Sequence, residues 1–158
     1  MEEFESVCFT REAALEKAVD MEDANFERFK KAFREVRNPR VKTLAKEAAL
    51  AALSHKHTLE KAVFDEEVSL HESDLNHGPE LELTVMLQDR PLTEDATEQD
   101  IMISAVSAKK RIVDFYRKMA GQCAGAPMEA MFKTLAEEES DHLAELETLY
   151  EELYMPEM

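Results

Sequence analysis

MEAMFKTLAEEESDHLAELETLYEEL, residues 128–153, is the stretch from which the fold reads outward. Met128, Phe132, Leu135, Leu146, Leu149 and Leu153 fall on one stripe of an amphipathic helix, with residues spaced three and four apart. Glu139 and His142 fill the slots between Leu135 and Leu146 on that same stripe. An ionisable side chain at a core position must find a partner or lose its charge, because dehydrating it alone costs on the order of several kcal/mol. A Glu-x-x-His pair on an inward face is also how helical bundles offer one oxygen and one nitrogen to a metal ion.

The remaining chain supplies three more helices of the same kind. Leu15, Val19, Phe26, Phe29, Phe33 and Val36 trace a first stripe, with Thr10 as its N-cap and Glu22 in its middle. Asn38-Pro39 ends that helix and opens the next, since Asn caps well and Pro suits the first helical position. The loop is short, so these two helices are expected to be antiparallel neighbours. The second stripe runs Val41, Ala45, Ala48, Ala52, Leu59 and Ala62, with His55 between Ala52 and Leu59. His57 points elsewhere and is read as a surface residue.

From Phe64 to Asp100 the helical period fades, and Gly78, Pro79 and Pro91 interrupt it. Leu81, Leu83, Val85 and Leu87 alternate with other residues, as in an extended segment laid along a bundle. A connection this long can cross the bundle and return the chain to the starting end. His71, His77, Glu72 and Asp74 in it are read as exposed loop residues rather than a surface metal site. Thr97 and Asp100 then have the spacing of a capping box. The third stripe is Met102, Ala105, Ile112, Tyr116 and Met119, with Lys109 at its centre, and Pro127 opens the fourth helix. Helices are expected near residues 10–37, 39–64, 97–120 and 127–153. Residues 1–158 are expected to form a single domain, with 65–96 as a crossover segment within it.

Composition narrows the class. With 158 residues and 44% hydrophobic content the chain can bury a sizeable core, and only 3 Gly suit long helices. A formal charge of -16 repels phosphate backbones and anionic membranes, so neither nucleic acid nor membrane is an expected partner. No stretch approaches the roughly 20 apolar residues of a membrane span, and MEEFESVCFT lacks the pattern of a signal peptide. The expectation is a soluble, cytoplasmic protein in which Cys8 and Cys123 stay reduced.

Shifting the first half by 87 residues lays Glu22 on Lys109, Phe29 on Tyr116, Ala52 on Glu139 and His55 on His142 without a gap inside either hairpin. Two copies of one hairpin imply pseudo-two-fold symmetry, with these positions meeting at mid-height in the core.

This pattern resembles the rubrerythrin branch of the ferritin-like superfamily, over about Ala13 to Glu152. In that family each hairpin carries a Glu, an aromatic seven residues later, and Glu-x-x-His in the partner helix. The resemblance implies an all-α, ferritin-like four-helix bundle of two repeated helical hairpins joined by a long crossover, usually holding two iron ions and often acting on peroxide or oxygen. By the family pattern Glu22, His55, Glu139 and His142 match metal ligands, whereas Ala52 and Lys109 stand where the family has carboxylates. The site is thereby reduced to about one metal, with iron favoured and Mn or Zn chemically acceptable. The Cys-x-x-Cys module by which many relatives receive electrons is missing, so any electron donor would be a separate protein. A homodimer is expected from the resemblance and from apolar residues between Phe64 and Leu92. Two functions remain open: a metal-binding oxidoreductase, and a metal-free bundle serving as a scaffold or partner-binding protein, in which Lys109, Glu22 and Glu139 form a buried ion-pair network. On either reading Tyr116 is a core-packing residue and Glu137-Glu138 a solvated face.

Overall fold

The computed structural model describes residues 11–67, 92, 95–122 and 129–155. Thr10, Met128, both cysteines, His71, His77 and the alternating leucines of the crossover lie outside them. Four helices make up nearly all of the described chain: α1 (Arg11–Glu35), α2 (Pro39–Glu67), α3 (Glu98–Gln122) and α4 (Glu129–Tyr154). None of them is long and apolar enough to cross a membrane.

The capping signals act as the sequence indicates. Asn38 Oδ1 accepts from the backbone N–H of Arg40 (2.9 Å) and of Val41 (3.3 Å), so two donors at the start of α2 are satisfied while Pro39 needs none. At α3 the exchange is reciprocal: Asp100 N–H donates to Thr97 Oγ1 (3.1 Å), and Thr97 N–H donates to Asp100 Oδ2 (3.0 Å). Glu98 also accepts from the backbone N–H groups of Arg37 and Asn38. The start of α3 is thus tied to the α1–α2 turn, which is the end of the bundle from which α2 starts.

The closest helix pairs are α1 with α2 and α3 with α4, and the two hairpins meet through α1–α3 and α2–α4 contacts. Their inward stripes form two apolar clusters. One holds Leu15, Met21, Leu59, Ile112, Phe115, Tyr116, Met119, Phe132 and Leu135. The other holds Phe29, Val36, Val41, Ala45, Ala48, Met102, Ala105, Leu146 and Leu149. The clusters keep water from the belt of buried polar residues at Glu22, Asn25, His55, Lys109 and Glu139.

One position on the first stripe departs from expectation. Phe33 is 40% exposed, and the inward face of α1 is completed instead by Ala14, Ala18, Met21 and Ala32. Small residues there bring α1 close to its neighbours and leave Phe33 at the flank, where the Lys42 ammonium covers its ring at 4.7 Å.

Candidate metal centre

Each helix contributes one residue to the centre of the belt, because each carries an ionisable group at the middle of its inward stripe. Glu22 on α1, Lys109 on α3 and Glu139 on α4 are fully buried, and His55 on α2 is nearly so. His55 Nδ1 lies 2.8 Å from Glu139 Oε1 and 3.3 Å from Glu22 Oε2. Its other ring nitrogen, Nε2, lies 2.6 Å from Glu138 Oε2 at the edge of the bundle. The Lys109 ammonium donates to Glu139 Oε2, the oxygen that His55 does not use. Tyr116 donates its hydroxyl proton to Glu22 Oε2 at 2.5 Å.

The electrostatics follow from these contacts. Burial alone would lower the His55 pKa, but hydrogen bonds to Glu139 and Glu22 and the charges of both carboxylates outweigh it, holding the imidazole up at about 10. Burial would likewise raise Glu139, yet the His55 hydrogen bond and the Lys109 charge bring it down to about 2. Glu22 is pushed up, first by burial and then by the Glu139 charge, against the opposing His55 and Tyr116 hydrogen bonds. Burial and the adjacent Glu22 raise Tyr116 well above its usual value, so it remains a hydroxyl and a donor. His142 goes the other way: burial, then the Lys109 charge, lower it and favour the neutral ring.

Of the four residues matched to ligand positions in the sequence, Glu22, His55 and Glu139 come together, each offering a ligand atom within 4.8 Å of the other two. They are the group of this kind among the described residues. His142 is adjacent but not in it; its ring stacks on His55 with centroids 6.5 Å apart and planes at 22°. Three buried atoms have no hydrogen-bond partner at this level, Glu22 Oε1, Asn25 Nδ2 and His142 Nδ1. The carboxylate oxygen and the imidazole nitrogen are atom types that ligate cations, whereas the Asn25 amide nitrogen is a donor and does not.

The other half of the centre lacks a matching donor set. Ala52, fully buried, offers no ligand, and the Lys109 ammonium already neutralises the second oxygen of Glu139. Two further residues take part. Tyr116 is core packing as expected, but its hydroxyl also fixes Glu22. Glu138 reaches His55 although its own side chain is 51% exposed. The spacing of Tyr116 on the inward stripe was a signal for the first, whereas Glu138 sits off the stripe and gave none.

Comparison with known proteins agrees with the architecture. Residues 13–150 match the family described as Rubrerythrin, a span covering most of the chain and all four helices. No curated protein and no solved structure gives a match. Fold, repeat, and match together place the chain in the rubrerythrin family.

Proposed function

We propose that this chain binds a single metal ion, iron first among the candidates, between Glu22, His55 and Glu139, with His142 or water completing the shell, and acts as an oxidoreductase on peroxide with a separate protein as electron donor. The observation that carries this reading is the convergence of one nitrogen and two carboxylates in a buried belt between two apolar clusters, where Glu22 Oε1 has no partner. Iron bound there would supply the redox couple on which the peroxide chemistry of the family rests.

The chain's own residues prepare such a site. Tyr116 engages Glu22 Oε2 and leaves Oε1 unspent. Glu138 engages His55 Nε2, so Nδ1 is the ring nitrogen turned toward both buried carboxylates, and an outer partner of this kind fixes the orientation of a ligating imidazole. The apolar clusters on either side exclude bulk water and sharpen every charge between them.

A second reading has its own observation. The His55 imidazolium and the Lys109 ammonium face Glu22 and Glu139, so charge closes without any metal. That arrangement suits a metal-free scaffold. Anaerobic titration of chelator-stripped protein with Fe(II), Mn(II) or Zn(II), followed by calorimetry and elemental analysis, separates the two. The metal reading predicts one ion per chain, lost in His55→Ala; no uptake by the parent selects the scaffold. Peroxide consumption by iron-loaded protein then tests the activity.

A further inference from the structure

Between α1 and α3, away from the metal centre, runs an open groove of about 690 Å³ whose lining includes Arg28, Lys30, Lys31 and Arg34 against Glu27 and Glu35. Four cations thus gather on two turns of helix in a chain of formal charge -16. They are not equivalent. Lys30 is taken up by Glu27, 3.0 Å away. Arg28 is partly buried, and its Nη1 donates to Ser104 Oγ of α3 at 2.8 Å, so one guanidinium is fixed in the groove by the facing helix. Lys31 and Arg34 are exposed and make no ion pair among the described residues.

The helix dipole favours a cation in the last turn, and that accounts for Arg34. It does not account for Arg28, which lies about two turns from the end of α1. The 87-residue shift sets Arg28 on Phe115, a fully buried core residue, and Arg34 on Gly121. The first repeat therefore places two arginines where the second has an aromatic ring and no side chain at all.

We infer that this groove binds a small organic dianion, a phosphate monoester or a dicarboxylate, with Arg28, Lys31 and Arg34 on its charged groups. Four basic residues against two acidic ones leave the lining two charges short of neutrality, which a dianion supplies. Guanidinium groups hold carboxylate and phosphate oxygens through paired N–H donors, and the Ser104 bond keeps one of them oriented in advance. The buried Ala32 and Ala105 and the half-buried Ile101 give the groove an apolar surface for the body of the ligand. Size fits as well, since small-molecule sites span roughly 300–1,000 Å³. A nucleic acid or an acidic protein would meet the negative charge of the whole chain, whereas a small ligand feels mainly the charges within about 10 Å at 0.1 M salt.

Calorimetric titration of the full, chelator-treated chain with phenyl phosphate and with phthalate tests this and tells the two headgroups apart. At least one of them should bind once per chain, more weakly as salt is raised. Arg28→Phe, which installs the residue of the other repeat, should weaken binding about tenfold or more with helical content retained, the scale of a lost charge-assisted hydrogen bond. Lys31→Gln with Arg34→Gln, both exposed and outside the core, should do the same and decides the matter if Arg28→Phe does not fold. Lys110→Gln removes an exposed cation elsewhere on α3 and should leave the affinity unchanged. A parent that binds neither probe overturns the proposal. So does parental affinity in the Lys31→Gln, Arg34→Gln variant, or an equal loss in Lys110→Gln, which would show net charge acting without a site.

Discussion

His55 and His142 occupy equivalent positions of the two repeats, at the same level of the core and with their rings stacked, yet their surroundings are opposite in sign. His55 has a carboxylate on each ring nitrogen and a second buried acid close by. His142 has a buried Nδ1 with no partner and feels the Lys109 charge. The aromatic residues of the repeats divide the same way: Tyr116 reaches across to donate to Glu22, while Phe29 presents its ring to Lys109 at 5.2 Å. The asymmetry traces to two substitutions within the repeat, Lys109 opposite Glu22 and Ala52 opposite Glu139. Replacing one carboxylate by an ammonium gives one half of the centre the acids for a cation and gives the other half a cation of its own.

The comparison predicts unequal costs for equal truncations. In metal-free protein, His55→Ala leaves Glu22 and Glu139 facing each other without the imidazolium, so a loss of about 3–5 kcal/mol is expected from breaking a buried charge network. His142→Ala removes a half-buried ring whose Nδ1 is unpartnered, and should cost no more than about 1–2 kcal/mol. Urea unfolding in the presence of chelator measures both, and equal losses would break the comparison.

Stability against pH separates the two rings by sign. The folded-state pKa of His55 is about 10, above the ordinary value of 6.5, so its contribution is complete below pH 6.5 and is lost as pH rises toward 10. Raised Glu22 contributes below its unfolded value of 4.5 and loses that contribution as pH rises through its folded value. His142, lowered in the fold, contributes above pH 6.5 and loses its contribution as pH falls through its folded value. The chelated protein should therefore weaken by a few kcal/mol between pH 6.5 and 10. His55→Gln should flatten that limb and also reduce the acid-side loss, because the His55 hydrogen bond helps hold Glu139 down.

Smaller effects sharpen the picture. Tyr116→Phe removes the donor from Glu22 and should cost about 2 kcal/mol, the range for a buried hydrogen bond to a charged acceptor. Glu138→Ala should cost less than about 1 kcal/mol, since its side chain is half exposed and water can replace it at His55 Nε2.

Much of this architecture is legible in the sequence because helices report their buried faces through period and caps. The stripes of α2 and α3 are buried or half-buried throughout, and Asn38 and the Thr97–Asp100 pair cap where the sequence places them. The repeat puts Glu22, His55 and Glu139 among the positions that meet at mid-height in the core. What escaped were matters of side-chain reach. Glu138 reads as one acid in a solvated run, and only the packing of α2 against α4 turns its carboxylate onto His55. Phe33 reads as core, but a face lined with alanines brings the backbones too close to admit its ring. Nor does a sequence say which of two acids a buried lysine selects; here the choice of Glu139 leaves Glu22 to Tyr116.

The central claim is that Lys109 stands in for a second cation while Glu22, His55 and Glu139 hold the first. The most direct measurement is the number of ions per chain, by elemental analysis after anaerobic loading with Fe(II), in the parent and in Ala52→Glu with Lys109→Glu. The account predicts one ion in the parent and two in the double variant, whose added carboxylates would also gain thermal stability from the metal. A folded double variant that takes up no more metal than the parent would contradict it.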